Sequence, residues 1–278
     1  VLTSNKGRIL DLLYVFNLGN RLIVLTSAEQ HTKITDWLEF YTIMEDVSLE
    51  NRTENTAMIS LMGPKSDTLL IKLLGEEKTP IQLNEGVEIA VSGIKTVLLR
   101  TDFANLLNYN LIFDSSHFDT LWEHIIAEGK NIGILPVGFN AVEAVRIEHG
   151  MPVYGKELGE KYNPLEASLR QYISFTKGCY IGQEVVARLE TYKKVQRKLV
   201  GLQFDSKDIP LENAPILIDG KNVGVVTSVS KSPSLNKIIG LGYVKTTHAH
   251  PGKILSTESR DGQILTKVVS LPHQKLLT

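Results

Sequence analysis

One cysteine, Cys179, is the only thiol in 278 residues. A single thiol excludes an internal disulfide, and with no second cysteine it cannot build a zinc or cluster site by itself. There is no excess of either charge: 30 basic and 31 acidic residues leave a net −1. That balance removes any general electrostatic drive toward nucleic acid or an acidic membrane, so an anionic ligand must be held by a local cluster. No apolar run approaches the roughly 20 residues that span a bilayer, and no secretory leader is visible. The first residue is Val1 rather than methionine, and Val1 to Val15 already reads as sheet interior. A missing N-terminal piece, or loss of a targeting peptide, is therefore expected.

What is present is a chain with 42% apolar and 22% charged residues, able to bury a core. Ile9 to Phe16 reads as a strand. Gly19-Asn20 supplies a turn, and Arg21 to Thr26 returns as a second strand. Ala28 to Tyr41 has helical spacing, with Ile34, Leu38 and Tyr41 on one face. Val47 to Asn51 and Ala57 to Met62 read as strands, and Lys65 to Leu74 as a helix. Val87 to Ser92, Thr96 to Arg100 and Asn108 to Phe113 are further strands. His117 to Gly129 and Asn140 to His149 are helices, the latter stopped by Gly150. This mixture predicts an α+β class with two ferredoxin-like α/β units, a loose duplication without a clean repeat. Leu199 to Phe204, Pro215 to Ile218, Asn222 to Val229, Ile238 to Val244 and Lys253 to Leu255 are short, evenly spaced strands, which predict a small antiparallel barrel. The expected division is 1–198 and 199–278.

Chemistry concentrates in Lys177-Gly178-Cys179-Tyr180-Ile181-Gly182-Gln183-Glu184. Two glycines bracket the thiol and favour a surface turn over a core strand. Gln183 to Thr191 is a plausible helix. Cys179 would then sit ahead of its N-terminus and close to Lys177, two features that stabilise a thiolate. The competing reading is a small buried hydrophobe. In Val145-Arg146-Ile147-Glu148-His149-Gly150, Arg146 and Glu148 point different ways on a helix. Spacing alone favours an exposed charged end over two contacts to one ligand. Pro164-Leu165-Glu166 reads as an uninformative turn. Lys193, Lys194, Gln196, Arg197 and Lys198 read as a solvated face or a guide for an anionic tail.

Together these segments resemble the glycine-cleavage T-protein (aminomethyltransferase) superfamily and its folate-binding relatives. The resemblance runs from Lys6–Ser27 through Met62–Ser66, Val145–Leu158 and Asn163–Leu169 to Gly220–Val244 and His250–Leu255. Within the superfamily, the eight residues Lys177–Glu184 resemble the signature of the YgfZ-type branch. That branch implies a tetrahydrofolate-binding accessory protein for assembly or repair of iron–sulfur proteins, linked to tRNA modification. The other function class is an aminomethyltransferase, or a folate-dependent one-carbon transferase or demethylase. A third is a scaffold that has lost its ligand. Two departures point away from aminomethyl transfer. The T-protein stretch Arg-x-Gly-Tyr-Thr-Gly-Glu is here Arg100-Thr101-Asp102-Phe103-Ala104-Asn105, without the glutamate. Two adjacent acids after a glycine turn are reduced to Asp11.

The family fold implies a three-lobed ring around a central pocket. The implied cofactor is tetrahydrofolate or a one-carbon derivative, with no metal. A folate needs acceptors for its pterin edge, walls for its ring and cations for its tail. Arg146, Glu148, Tyr180, Gln183, Glu184, Arg188 and Tyr192 are the expected folate-binding residues, and Cys179 with Lys177 the reactive pair. The expected partners are the folate and iron–sulfur client or assembly proteins, with neither nucleic acid nor membrane. Localisation would be cytoplasmic in a bacterium and the mitochondrial matrix in a eukaryote.

Overall fold

The structure, a computed structural model, describes residues 1–75, 81–206, 208–260 and 262–273. Two short strands open the chain, β1 (Leu2–Thr3) and β2 (Ile9–Asp11), paired antiparallel across a turn. The single strand expected over Ile9 to Phe16 is broken: β3 (Tyr14–Asn17) belongs to another sheet. Asp11 explains the break. Its Oδ1 accepts the next backbone N–H, that of Leu12, at 2.8 Å, so a side chain takes the bond a ladder would have used.

By internal contacts the chain gathers into two compact units. One combines Val1–Leu13 with Gly138–Thr278, and the other is Tyr14–Val137. In the second unit, β3 and β4 (Leu22–Leu25) form the expected hairpin. Its turn is tied by Asn17 Oδ1, which accepts the Gly19 N–H at 2.8 Å. Helix α1 (His31–Tyr41) follows, with Ile34 buried. Val47 to Asn51, expected as a strand, lies in none, and Val47 is exposed. Just ahead of it the Glu45 carboxylate accepts the N–H groups of Ile43 and Met44, which curls the backbone out of extended form.

Strand β5 (Thr56–Met62), helix α2 (Ser66–Leu74), strands β6 (Gly86–Val91), β7 (Ile94–Phe103) and β8 (Leu106–Asp114), and helix α3 (Phe118–Gly129) complete this unit. The strands form an antiparallel sheet in the order β5-β8-β7-β6. It therefore joins 56–62 to 106–114, two stretches the sequence reading had put in separate units. One face carries Ile59, Leu61, Leu98, Tyr109, Leu111 and Phe113 into a core shared with Leu69 and Leu70 of α2 and Leu121 and Ile125 of α3. Alternation along the strands and i, i+4 spacing along α3 put these side chains on one side.

In the first unit, helix α4 (Phe139–His149) stops at Gly150, which adopts φ +73°. Helix α5 (Gln183–Thr191) precedes a closed barrel. Its strands are β9 (Arg197–Asp205), β10 (Pro215–Ile218), β11 (Lys221–Ser232), β12 (Lys237–Lys245), β13 (Ile254–Ser259) and β14 (Gly262–Val269). Closure follows the order β10-β11-β12-β9-β14-β13, so no edge is left unpaired. The mixed α+β class and the barrel agree with the sequence reading. β14 escaped it because Gln263 to Lys267 is largely polar, although Thr266 and Val268 are fully buried.

Candidate thiol loop and buried polar clusters

The Lys177–Glu184 loop is anchored at one end and open at the other. Gly182 opens α5 with φ +86°. A Cβ there would sit 2.4 Å from the Ser4 carbonyl oxygen, 3.0 Å from Thr3 Oγ1 and 3.2 Å from Gly7 Cα. Thr3 Oγ1 also donates to the Ile181 carbonyl at 2.6 Å. The loop base is thus pressed against the β1–β2 turn by a backbone approach that only glycine allows. Gln183 folds back and accepts the Tyr180 N–H at 3.2 Å. At the tip, nothing lies within 4 Å of a Cβ on Gly178, and Cys179 is exposed. The buried-hydrophobe reading of Cys179 is excluded.

The expected partners of the thiol are arranged otherwise than spacing implied. The Lys177 ammonium lies 4.9 Å over the Tyr180 ring, whose hydroxyl is shifted to a higher pKa by burial. Lys194 caps the Tyr192 ring at 5.4 Å. Each tyrosine therefore has one face covered by a cation and could wall a ligand only with the other. Glu184, Arg188 and Tyr192 are exposed. Arg170 pairs with Glu190 of α5 at 2.8 Å and lies 5.4 Å over Phe175, bracing the loop to the helix.

Arg146 and Glu148 are neither an exposed helix end nor a pair of free ligand contacts. Both are buried. The Arg146 guanidinium donates to Glu143 at 2.6 and 2.8 Å, to Glu157 at 3.2 Å, to the Met151 carbonyl at 3.1 Å and to Ser228 Oγ at 2.7 Å. Those five bonds use every donor it has, so none remains for a folate tail. Ser228 Oγ in turn donates to Glu157 at 2.6 Å. Burial raises the Glu143 pKa, but hydrogen bonds and charges from Arg146 and Lys156 outweigh it and hold the carboxyl below its usual range. Glu148 accepts from Ser232 and, at 2.7 Å, from Ser234. The two side chains do point different ways, and both tie α4 to β11 and the turn after it.

Sequence reasoning missed two other clusters. The rings of Tyr162 and Tyr243 stack at 3.8 Å, and Arg197 lies 4.7 Å over Tyr162 while pairing with buried Glu166 at 3.0 Å. Arg197 and Glu166 had looked like a solvated charge run and an uninformative turn. The second cluster is a polar stripe on the four-stranded sheet: Thr101, Asn108 and Asn110 are all buried. Asn108 Nδ2 donates to Thr101 Oγ1 at 2.7 Å and Asn110 Nδ2 to the same oxygen at 3.0 Å, while Ser60 donates to Asn110 Oδ1 at 2.7 Å. Among the described residues Asn108 Oδ1 has no partner. Two amides on alternate positions of one strand were the available signal. Among the described residues, no group of three or more His, Cys, Asp or Glu side chains is placed to hold a metal ion.

Comparison with known proteins places this architecture. Residues 1–177 match the GCVT N-terminal domain, and residues 197–275 match the glycine cleavage T-protein C-terminal barrel domain. A protein named aminomethyltransferase from Halothermothrix orenii is 30% identical over 272 residues, covering 97% of this chain and 75% of that protein. One of the same name from Caldanaerobacter subterraneus subsp. tengcongensis is 30% identical over 270 residues, covering 96% and 71%. The crystal structure of glycine cleavage system aminomethyltransferase T from Bartonella henselae superimposes with a TM-score of 0.85 at 21% identity, over 98% of this chain and 74% of that one. That likeness speaks for the fold. With both domain families matched in order along the chain, it belongs to the GCVT (glycine cleavage T-protein) family.

Proposed function

We propose that this protein binds tetrahydrofolate and serves one-carbon transfer of the aminomethyltransferase type. The supporting observation is the match to both T-protein domains together with aminomethyltransferases 30% identical over nearly the whole chain. Tetrahydrofolate, when bound, supplies the reduced nitrogens that carry a one-carbon unit. The chain's own groups suit such a ligand. In the unit that holds the barrel, exposed Lys177, Arg188, Lys193 and Lys194 are available to an anionic tail. Arg146 and Glu148 do not serve this role, because Arg146 is committed to Glu143, Met151, Glu157 and Ser228, and Glu148 to Ser232 and Ser234.

A second reading, the YgfZ-type accessory factor for iron–sulfur proteins, is favoured by one observation, the open position of Cys179. In it the thiol acts as a transient ligand or a nucleophile toward a client protein. The relatives described above carry the aminomethyltransferase name, which favours the first reading.

Binding and turnover separate the two. Titrating the purified chain with tetrahydrofolate should raise its unfolding temperature, a stabilisation of about 2.7 kcal/mol at a hundred times the dissociation constant. Under the first reading the protein also forms methylene-tetrahydrofolate from an aminomethylated carrier, and Cys179→Ala retains that activity. Binding without turnover, coupled to loss of iron–sulfur enzyme activity in cells carrying only Cys179→Ala, selects the second. No binding at all removes both.

A further inference from the structure

The net charge of −1 conceals a segregation. The unit that holds the barrel, Val1–Leu13 with Gly138–Thr278, carries 21 basic and 14 acidic residues, a net +7, whereas Tyr14–Val137 carries 9 and 17, a net −8. Much of the excess lies at one end of the barrel. Neighbours in the closed order are antiparallel throughout, so the starts of β9, β11 and β13 share an end with the finishes of β10, β12 and β14. The segments at that end, 192–198, 219–222 and 245–254, hold seven Lys or Arg and two His against one carboxylate, Asp219. Register and loop bonds bring them together. Lys245 is the Cα partner of Arg197, and Lys198 that of Val244. The Thr246 N–H donates to the Gln196 carbonyl at 2.9 Å and its Oγ1 to the Val195 carbonyl at 2.8 Å, which pins the β12–β13 loop beside the start of β9. The Val268 N–H donates to the Lys253 carbonyl at 2.9 Å, carrying that loop across to β14. Arg197 is engaged by Glu166. Lys198, Lys221 and Lys245 are exposed and Lys253 is half-buried. Among the described residues none of these four lysines pairs with a carboxylate, whereas Lys72 and Lys156 do.

We propose that this end of the barrel docks the phosphate backbone of a single-stranded nucleic acid. Like charges gathered in one place repel one another, and a polyanion relieves that repulsion. The residue types select the occupant. Protein interfaces are depleted in lysine and built on apolar and aromatic anchors, yet in these segments only Tyr192 and Ile254 are large and exposed. An anionic membrane also attracts lysines, but lasting attachment takes an apolar face to bury, which one isoleucine does not provide. Phosphates, by contrast, take lysine as a point charge. On single strands, cations follow the backbone while an aromatic ring offers its face to a base. Tyr192 is 63% exposed, and Lys194 covers one face of its ring at 5.4 Å, leaving the other open. Lys198, Lys221, Lys245 and Lys253 take no part in the folate reading, so the proposal stands apart from it.

Fluorescence anisotropy of the full chain tests this, with a labelled single-stranded RNA of about 16 nucleotides and DNA of the same sequence as probes. Four lysine–phosphate contacts on a single strand give log K against log salt a slope of about −3. Lys198→Gln with Lys245→Gln, two exposed positions, should halve that slope and weaken binding on the order of tenfold at low salt, with the unfolding temperature unchanged. Lys231→Gln with Lys237→Gln removes the same charge at the opposite end of the barrel, where β11 finishes and β12 starts, and should bind as wild type does. Either strand bound in this way supports the proposal, and the tighter of the two names the source. The proposal is overturned if neither strand binds, if both double variants weaken binding equally, or if polyglutamate or vesicles of anionic phospholipid bind more tightly than the strands. Titrating the Lys198→Gln/Lys245→Gln protein with tetrahydrofolate reports the folate reading separately, because Lys177, Arg188, Lys193 and Lys194 remain in place.

Discussion

At Gly182 a methyl group has no place to go. The backbone φ of +86° strains any side chain, and the nearest obstacle is a backbone oxygen 2.4 Å away, which cannot rotate aside. Gly182→Ala should therefore cost about 3 kcal/mol, from left-handed strain together with overpacking. Gly178, four residues earlier, has open space around it and no positive φ. Gly178→Ala should stay within about 0.5 kcal/mol of wild type. Urea unfolding midpoints of the two variants check the pair, and equal losses would contradict the anchored-base, open-tip geometry. The turn itself was legible, since glycine spacing and a helix start are local features. Its anchor was not, because Thr3 and Ile181 meet across 178 positions of chain. Arg146 and Glu148 misled for the same reason. The local string reads as a polar helix end, and only the arrival of Ser228 and Ser232, more than 80 residues later, shows that it is buried.

Among the elements, helices and hairpins were legible because their signals are periodic and short-range. Strand continuity was not, since Asp11 ends β2 with one side-chain hydrogen bond inside an otherwise apolar run. The docking of α4 was equally hidden, and it supplies the sharpest test at this scale. Arg146 sits between Glu143, Glu157 and Ser228, so its removal leaves the fully buried Glu157 carboxylate without its cation. Arg146→Met should destabilise by about 3–5 kcal/mol, the range for breaking one side of a buried pair. Adding Glu157→Leu removes the stranded charge. The double variant should then be less destabilised than the sum of the two single changes. Additive losses in urea unfolding would mean that the two side chains do not act as a pair.

For the molecule as a whole, class and barrel were readable from strand spacing, and the family from motifs spread along the chain. The route of the C-terminal segment was not, because it lies beyond the last strand and carries no periodic signal. That segment brings His273 back against α4 and the barrel: its backbone N–H donates to the Glu148 carbonyl of α4 at 2.7 Å and its Nε2 meets the Gly240 carbonyl of β12 at 3.1 Å. Burial depresses the imidazole pKa to about 4, against smaller opposing effects from the Gly240 hydrogen bond and the Glu148 charge. The folded protein therefore holds His273 neutral, whereas the unfolded chain takes up a proton near pH 6.5. More protons on the unfolded state mean that stability rises with pH across this window. The contribution is complete above about pH 6.5 and is lost as pH falls toward 4, on the order of 3 kcal/mol in all. His273→Leu has no such group to titrate. Its unfolding free energy should fall less steeply than wild type's between pH 6.5 and 4, with the two curves parallel above pH 7. Parallel curves throughout would show that burial does not hold this imidazole neutral in the fold.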